Sequence, residues 1–157
     1  MILLTGGLGM IGAHTARALA DLGRRVVVTA HRRAEVPAFL AGRVTVEPLD
    51  VTDRDAFLAL AARHDVGDIV HLAGGIPGED PVDFLRADTN GLLGSGVQPV
   101  VLRIGSVWGP LMDPESPFNH IPPYVGAALR GERPPPLHAG DGGDTCYAPD
   151  AGARSPC

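Results

Sequence analysis

The residues best suited to chemistry in this sequence are glycines. Thr5-Gly6-Gly7-Leu8-Gly9-Met10-Ile11-Gly12 satisfies G-x-G-x-x-G through Gly7, Gly9 and Gly12, and G-x-x-G-x-x-G through Gly6, Gly9 and Gly12. Such a pattern carries weight only where a strand precedes it and a helix follows. In that setting Gly6 or Gly7 permits backbone angles that a side chain would forbid. Gly9 leaves room for a pyrophosphate to approach the backbone, and Gly12 lets the helix pack against the strand. The helix start at Met10 and Ile11 then offers unpaired N–H groups and a positive dipole end to phosphate oxygens. The bland alternative is a tight strand-to-helix turn that holds nothing.

The basic residues narrow the chemistry further. All 13 are arginines and the sequence has no lysine, which excludes Schiff-base formation and the Walker A phosphate contact. If the glycine turn holds a dinucleotide, the end of the second strand decides which one. A carboxylate there binds both ribose hydroxyls of NAD. Here Ala30 is followed by His31, Arg32 and Arg33, with no carboxylate before Glu35. An arginine can grip the 2′-phosphate of NADP bidentately, so the expectation is NAD(P), leaning to NADP, with Arg32 as the contact. A solvated arginine pair is the alternative.

The elements that must position these residues follow from hydrophobic pattern. Ile2–Thr5 reads as a strand and Met10–Leu22 as a helix stopped by Gly23. Arg25–Ala30, with three consecutive valines, reads as a strand buried on both faces. Val44–Leu49 and Ile69–Leu72 read as further strands, and Thr52 or Asp53 caps a helix running to about Arg63. Asp80–Leu93 reads as a helix, Val100–Ile104 as another buried strand, and Ile121–Arg130 as a helix with Pro122 and Pro123 in its first turn. Eleven of the 15 prolines fall at or after Pro99, and no periodicity is visible from Gly131 onward. The expected fold is α/β, a Rossmann-like doubly wound parallel sheet, incomplete, with a Pro/Gly-rich C-terminal appendage. Residues 1–110 form the dinucleotide-binding part and 111–157 the remainder.

Composition fits a single domain of this kind. The chain has 157 residues, 45% hydrophobic but only 4% aromatic, so the core must be built from Ala, Val, Leu and Ile. A net charge of −5 argues against nucleic acid as a partner. No apolar stretch approaches the ~20 residues needed to span a bilayer, and Met1–Leu4 is too short for a signal peptide, so the expected location is the cytoplasm. Cys146 and Cys157 form no C-x-x-C pair, which argues against a disulfide framework or a zinc site.

Thr-Gly-Gly-x-Gly-x-Ile-Gly resembles the extended short-chain dehydrogenase/reductase family, the NAD-dependent epimerase/dehydratases of nucleotide sugars. Leu49-Asp50-Val51-Thr52-Asp53 is similar to that family's Asp-hydrophobic motif, which implies adenine contacts for Asp50 and Val51. His71-Leu72-Ala73-Gly74 resembles His-hydrophobic-Ala-Ala, whose backbone passes beside the cofactor. Asp88-Thr89-Asn90-Gly91 resembles Asn-Val-x-Gly, with Asp88 at the first position. Leu102–Pro110 resembles Leu-Arg-x-x-Asn-Val-Tyr-Gly-Pro near the substrate, with Ser106 where the family has Asn, and Gly140–Asp150 resembles the later Gly-Asp-Gly … Val-x-Asp region. The resemblance implies a dinucleotide as ligand, a nucleotide sugar as substrate, and residues 111–157 as the remnant of a substrate-binding region. Structural readings stand beside it: Asp50 as a helix cap, His71 as a buried histidine bonded to backbone, Arg103 as an ion-pair partner, Trp108 as packing, and Asp113, His120 and Cys146 as loop residues.

The family's Tyr-x-x-x-Lys pair is missing. Four residues after Tyr124 stands Ala128, and four after Tyr147 stands Ala151. Only Gly94–Gln98 separate the helix ending near Leu93 from the strand near Pro99, where the family places a strand, a catalytic serine and the tyrosine helix. Ala151–Cys157 shows no helical pattern. The expectation is an internally deleted, C-terminally truncated relative with no catalytic residue of its own, whose uncovered helix faces favour a homodimer. The alternatives are a non-catalytic dinucleotide-binding module and a gene fragment without function.

Overall fold

The computed structural model describes residues 1–32, 34–74, 104–114, 119, 121–136 and 145–154. Asp88, Arg33, Arg103, His120, the expected helix at Asp80–Leu93 and the Gly94–Gln98 link lie outside them. The described residues through Ala73 and from Ile104 onward belong to one compact unit.

Four parallel strands form the main sheet: β1 (Ile2–Thr5), β2 (Val26–Ala30), β3 (Thr45–Pro48) and β4 (Asp68–His71), in the order β3-β2-β1-β4. Leu3 stands opposite Val27 on one side and Ile69 on the other, and Thr5 opposite His71. Between the strands run α1 (Met10–Asp21), a 3₁₀ turn (Ala38–Leu40) and α2 (Arg54–Arg63). All four expected strands and helices of this half are present, with ends within one or two residues of the pattern.

The two-residue period of a strand explains the layering. Ile2, Leu4, Val26 and Val28 point to one face and pack with Ala13, Ala16 and Leu19 of α1 and with Leu40. Leu3 and Val27 point to the other face and pack with Leu49, Leu60 and Phe57, the last two from α2. Helices on both faces bury β1 and, up to Ala30, β2, which is why those strands read as nearly unbroken apolar runs. The chain moves outward from β1 to β2 and β3, then crosses back to β4 on the far side of β1. The strand order therefore reverses at the carboxyl ends of β1 and β4, the place where open α/β sheets bind ligands.

Local signals set the helix ends. Asp53 caps α2 by accepting from the Ala56 N–H at 3.0 Å, and Asp55 and Arg63 suit its dipole at either end. Asp50, by contrast, caps no helix. Gly23, at φ +73°, ends α1.

A second, two-stranded parallel sheet joins β5 (Ser106–Trp108) to β6 (Thr145–Tyr147), accompanied by α3 (Ile121–Arg130) and α4 (Ala148–Arg154). The residues of α3 are those expected. The tail is a correction: a helix runs to Arg154 where no helical pattern is visible, and Cys146 lies on β6 rather than in a loop. Seven residues are too few to display a 3.6-residue period, and α4 is made by packing instead. Its Ala148, Ala151 and Gly152 are buried, and α4 packs on α1. Ile104, expected to end a buried strand, is exposed and lies outside any strand. Among the described residues no helix is long and apolar enough to cross a membrane, and no cluster of His, Cys, Asp and Glu could hold a metal.

Leu3 is fully buried at the centre of the face covered by α2. Leu3→Ala is expected to lower the free energy of unfolding by about 2–5 kcal/mol, read from urea denaturation, with an unchanged m-value.

Candidate functional site

The glycine turn sits at the carboxyl end of β1, between β2 and β4. Gly6 adopts φ +66°, which assigns to Gly6, not Gly7, the left-handed angle needed to leave the strand. Its carbonyl accepts from the Gly9 N–H at 3.0 Å, closing the turn. Gly9 is the N-cap of α1 and, lacking a side chain, supplies no capping oxygen; no acidic residue lies in the first turn. The N–H groups of Met10, Ile11 and Gly12 therefore have no backbone acceptor within the helix and point outward with the positive dipole end. A Cβ on Gly12 would collide with the Gly6 carbonyl oxygen and stand 2.7 Å from the Gly7 Cα. The third glycine is thus demanded by the turn folding back on the helix, more than by the strand. Gly9 is exposed, so its bare backbone faces the open side.

Thr5 and the 71–74 segment form the second wall. Thr5 is fully buried, and its Oγ1 accepts from the N–H groups of Leu72 and Ala73, both at 3.2 Å. This leaves the hydroxyl proton for Nδ1 of His71, at 2.8 Å. A Cβ on Gly6 would stand 2.7 Å from the Leu72 and Ala73 backbone, so Leu72 and Ala73 run directly alongside the glycine turn. His71 itself is exposed and bonds a side-chain hydroxyl. That corrects the reading of a buried histidine bonded to backbone: β4 lacks a described neighbour on its outer side, and the ring turns to Thr5.

The third wall lies where β2 and β3 end. The Leu49 N–H donates to the Ala30 carbonyl at 2.8 Å, which brings the loop after β3 beside His31 and Arg32. Asp50 Oδ1 accepts from the Thr52 N–H at 2.9 Å and from Thr52 Oγ1 at 2.7 Å. These bonds hold its carboxyl below the usual range, with a smaller electrostatic pull from His31 and Arg32. Its Oδ2 faces His31 Nε2 at 3.7 Å. Val51 is half-buried and packs against the cluster of Leu3, Val27, Leu49 and Leu60. Arg32 is exposed at this rim. The structure thus brings Gly6, Gly9, Met10, Ile11, Gly12, Arg32, Asp50, Val51, Leu72 and Ala73 to one edge of one sheet; Gly74 follows Ala73 in the chain but belongs to a separate compact unit, and Asp88 lies outside the described residues.

Ser106 is placed elsewhere, on β5. Its Oγ accepts from Asn119 Nδ2 at 3.1 Å. Asn119 is buried, donates also to the Val107 carbonyl, and accepts from the Ile121 N–H at 2.9 Å, tying β5 to the start of α3. An apolar groove of about 380 Å³ lies beside it, walled by Trp108, Met112, Ile121, Val125, Leu129 and Tyr147 among others. Trp108 and Tyr147 are packed ring to ring at 5.0 Å, in line with a packing role for the tryptophan. Thr5 and Asn119 were not singled out from sequence. A polar residue at the end of a buried strand, and an asparagine two residues before a Pro-rich helix start, are the signals that mark them.

The family model for the NAD dependent epimerase/dehydratase family matches residues 2–93. The chain belongs to that family. A UDP-glucose 4-epimerase of Yersinia enterocolitica is 30% identical over 105 residues, covering 60% of this chain and 30% of that protein. One from Cyamopsis tetragonoloba is 32% identical over 83 residues, 46% of this chain and 24% of that protein. The chain thus spans under a third of the length of these curated relatives. Among solved structures, a Thermotoga maritima UDP-glucose 4-epimerase, determined with UDP-glucose, superposes with a TM-score of 0.73 at 17% identity, over 98% of this chain and 71% of that one. A Bacillus anthracis dTDP-glucose 4,6-dehydratase in complex with NAD gives 0.75 at 16% identity, over 97% and 68%. These two likenesses establish the fold.

Thr5→Val should leave the Ala73 N–H without its acceptor and destabilise the protein by about 1–3 kcal/mol, while Thr5→Ser stays near the parent. Urea midpoints of the two variants check this.

Proposed function

We propose that this chain is an NAD(P)-binding domain of the nucleotide-sugar epimerase/dehydratase type, selective for NADP, which holds the dinucleotide without turning over a sugar. The observation that carries the reading is the uncapped start of α1, reached through Gly6 and Gly12 at the strand-order reversal. In it, the N–H groups of Met10, Ile11 and Gly12 would hold the pyrophosphate, with Gly6 and Gly9 leaving room for it. Asp50 and Val51 would flank the adenine, and Arg32 would pair with the 2′-phosphate. Leu72, Ala73 and Gly74 would pass beside the nicotinamide half, with Asp88 further along. Ser106 and the β5 segment are the proposed point of contact for a nucleotide sugar. A bound nicotinamide supplies a hydride acceptor or donor.

Oxidising a sugar hydroxyl also needs a base for the hydroxyl proton. The family's Tyr-x-x-x-Lys supplies one, and this sequence has no lysine to lower a tyrosine pKa. Tyr124 donates its hydroxyl to the Pro135 carbonyl at 2.6 Å, and Tyr147 packs on Trp108. Both tyrosines are thus engaged in structural contacts, which supports binding without turnover.

Titration with NADPH, followed by a blue shift of the dihydronicotinamide emission, is expected to show saturable binding tighter than that of NADH. UDP-glucose incubated with the loaded protein is expected to remain unconverted. Arg32→Ala should weaken NADPH by about tenfold, equivalent to about 1.4 kcal/mol, and leave NADH unchanged. Equal affinities would overturn the NADP preference; absence of binding by either dinucleotide would overturn the whole reading.

A further inference from the structure

His14 stands apart from the site yet inside the protein. It lies on the second turn of α1 and is 5% exposed. Its ring stacks on Phe39 beside the 3₁₀ turn, with centroids 5.2 Å apart and planes 16° from parallel. Its Nε2 is buried with no hydrogen-bond partner among the described residues, and the Pro110 carbonyl is the polar group that faces the ring. A buried imidazole nitrogen without a partner is tolerated only while the ring is neutral.

Two elements of the C-terminal part meet at His14. The 109–111 turn brings the Pro110 carbonyl to it. Leu111 in that turn adopts φ +71°, an angle that side chains resist, so contacts hold the turn in place. Helix α4 crosses α1 here: a Cβ on Gly152 would stand 2.6 Å from the His14 carbonyl carbon and from the Thr15 nitrogen. Gly109 in turn packs on Ala148 and Tyr147, so turn, β6 and α4 are joined.

We propose that His14 is a proton-operated latch: neutral, it seats the 109–111 turn and α4 on α1; protonated, it releases them, while the main sheet stays folded. Burial, the largest effect, pushes His14 below its ordinary value of 6.5; Arg17 pushes the same way and the Pro110 carbonyl opposes both. Of the charged groups on neighbouring elements, Arg17 on the same helix acts on the ring; the 3₁₀ turn carries none, and Glu35, Asp113 and Asp150 are exposed. The released state binds the proton more tightly. Seating is therefore fully stable above pH 6.5 and weakens as pH falls below it through the lowered value. This inference is independent of the dinucleotide reading, since it needs no ligand.

The single tryptophan, Trp108, lies two residues from Pro110 and reports on the latch. Its emission in the ligand-free full chain is expected to shift between pH 7.5 and 5, with a midpoint below 6.5, and His14→Phe, which keeps a stacking ring but cannot titrate, should flatten that profile. Hydrogen exchange of the parent protein, corrected for intrinsic rates, should show Ala148–Arg154 losing severalfold of its protection at pH 5.5 relative to 7.5, up to the limit of about tenfold that one proton sets, with Ile2–Thr5 unchanged. The exchange measurement stands even if the variant does not fold. An identical fluorescence transition in a folded His14→Phe protein, or protection of Ala148–Arg154 that does not change with pH, would overturn the proposal.

Discussion

The structure depends on how closely the start of α1 approaches the end of β1. The Gly6 carbonyl receives the Gly9 N–H and lies where any side chain on Gly12 would have to be. That contact directs α1 back across the face of Ile2, Leu4, Val26 and Val28. It also aims the helix's unpaired amides over the sheet's carboxyl edge. The same backbone geometry thus builds half the core and the candidate anion site, and neither can be altered alone.

The first two turns of α1 serve different partners. Its first turn faces the crevice between β1 and β4, where Thr5 holds Leu72 and Ala73 against the glycine turn with one hydroxyl. Its second turn carries His14 and receives α4 and the 109–111 turn. A short helix therefore joins the main sheet to the segment bearing Ser106, Trp108 and the apolar groove. The interface uses alanine and glycine because the two helices cross with their backbones nearly touching, leaving no room for larger side chains.

Much of the first half was legible in sequence because its signals are local. Consecutive valines at Val26–Val28 can only suit a strand buried on both faces, and the glycine spacing has one structural context in which all positions make sense. The second half was less legible because its order comes from tertiary contact. Helix α4 is too short to show a period and is made by packing on α1, and β5 and β6 are three residues each. His71 was misjudged because strand pattern does not reveal that its ring is exposed and turns to the Thr5 hydroxyl. Thr5 shows the converse: its place in the glycine motif was plain, but its work as an acceptor for two amides appears only when β4 is laid beside β1.

The most direct test of the central claim is an amide NMR titration of isotope-labelled protein with ADP-ribose, which carries the pyrophosphate without the nicotinamide. The account predicts that the largest, saturable shifts fall on the N–H groups of Met10, Ile11 and Gly12, with smaller ones at Leu72–Gly74 and at the loop after β3. Saturable shifts that leave those three amides unmoved and gather elsewhere would contradict it.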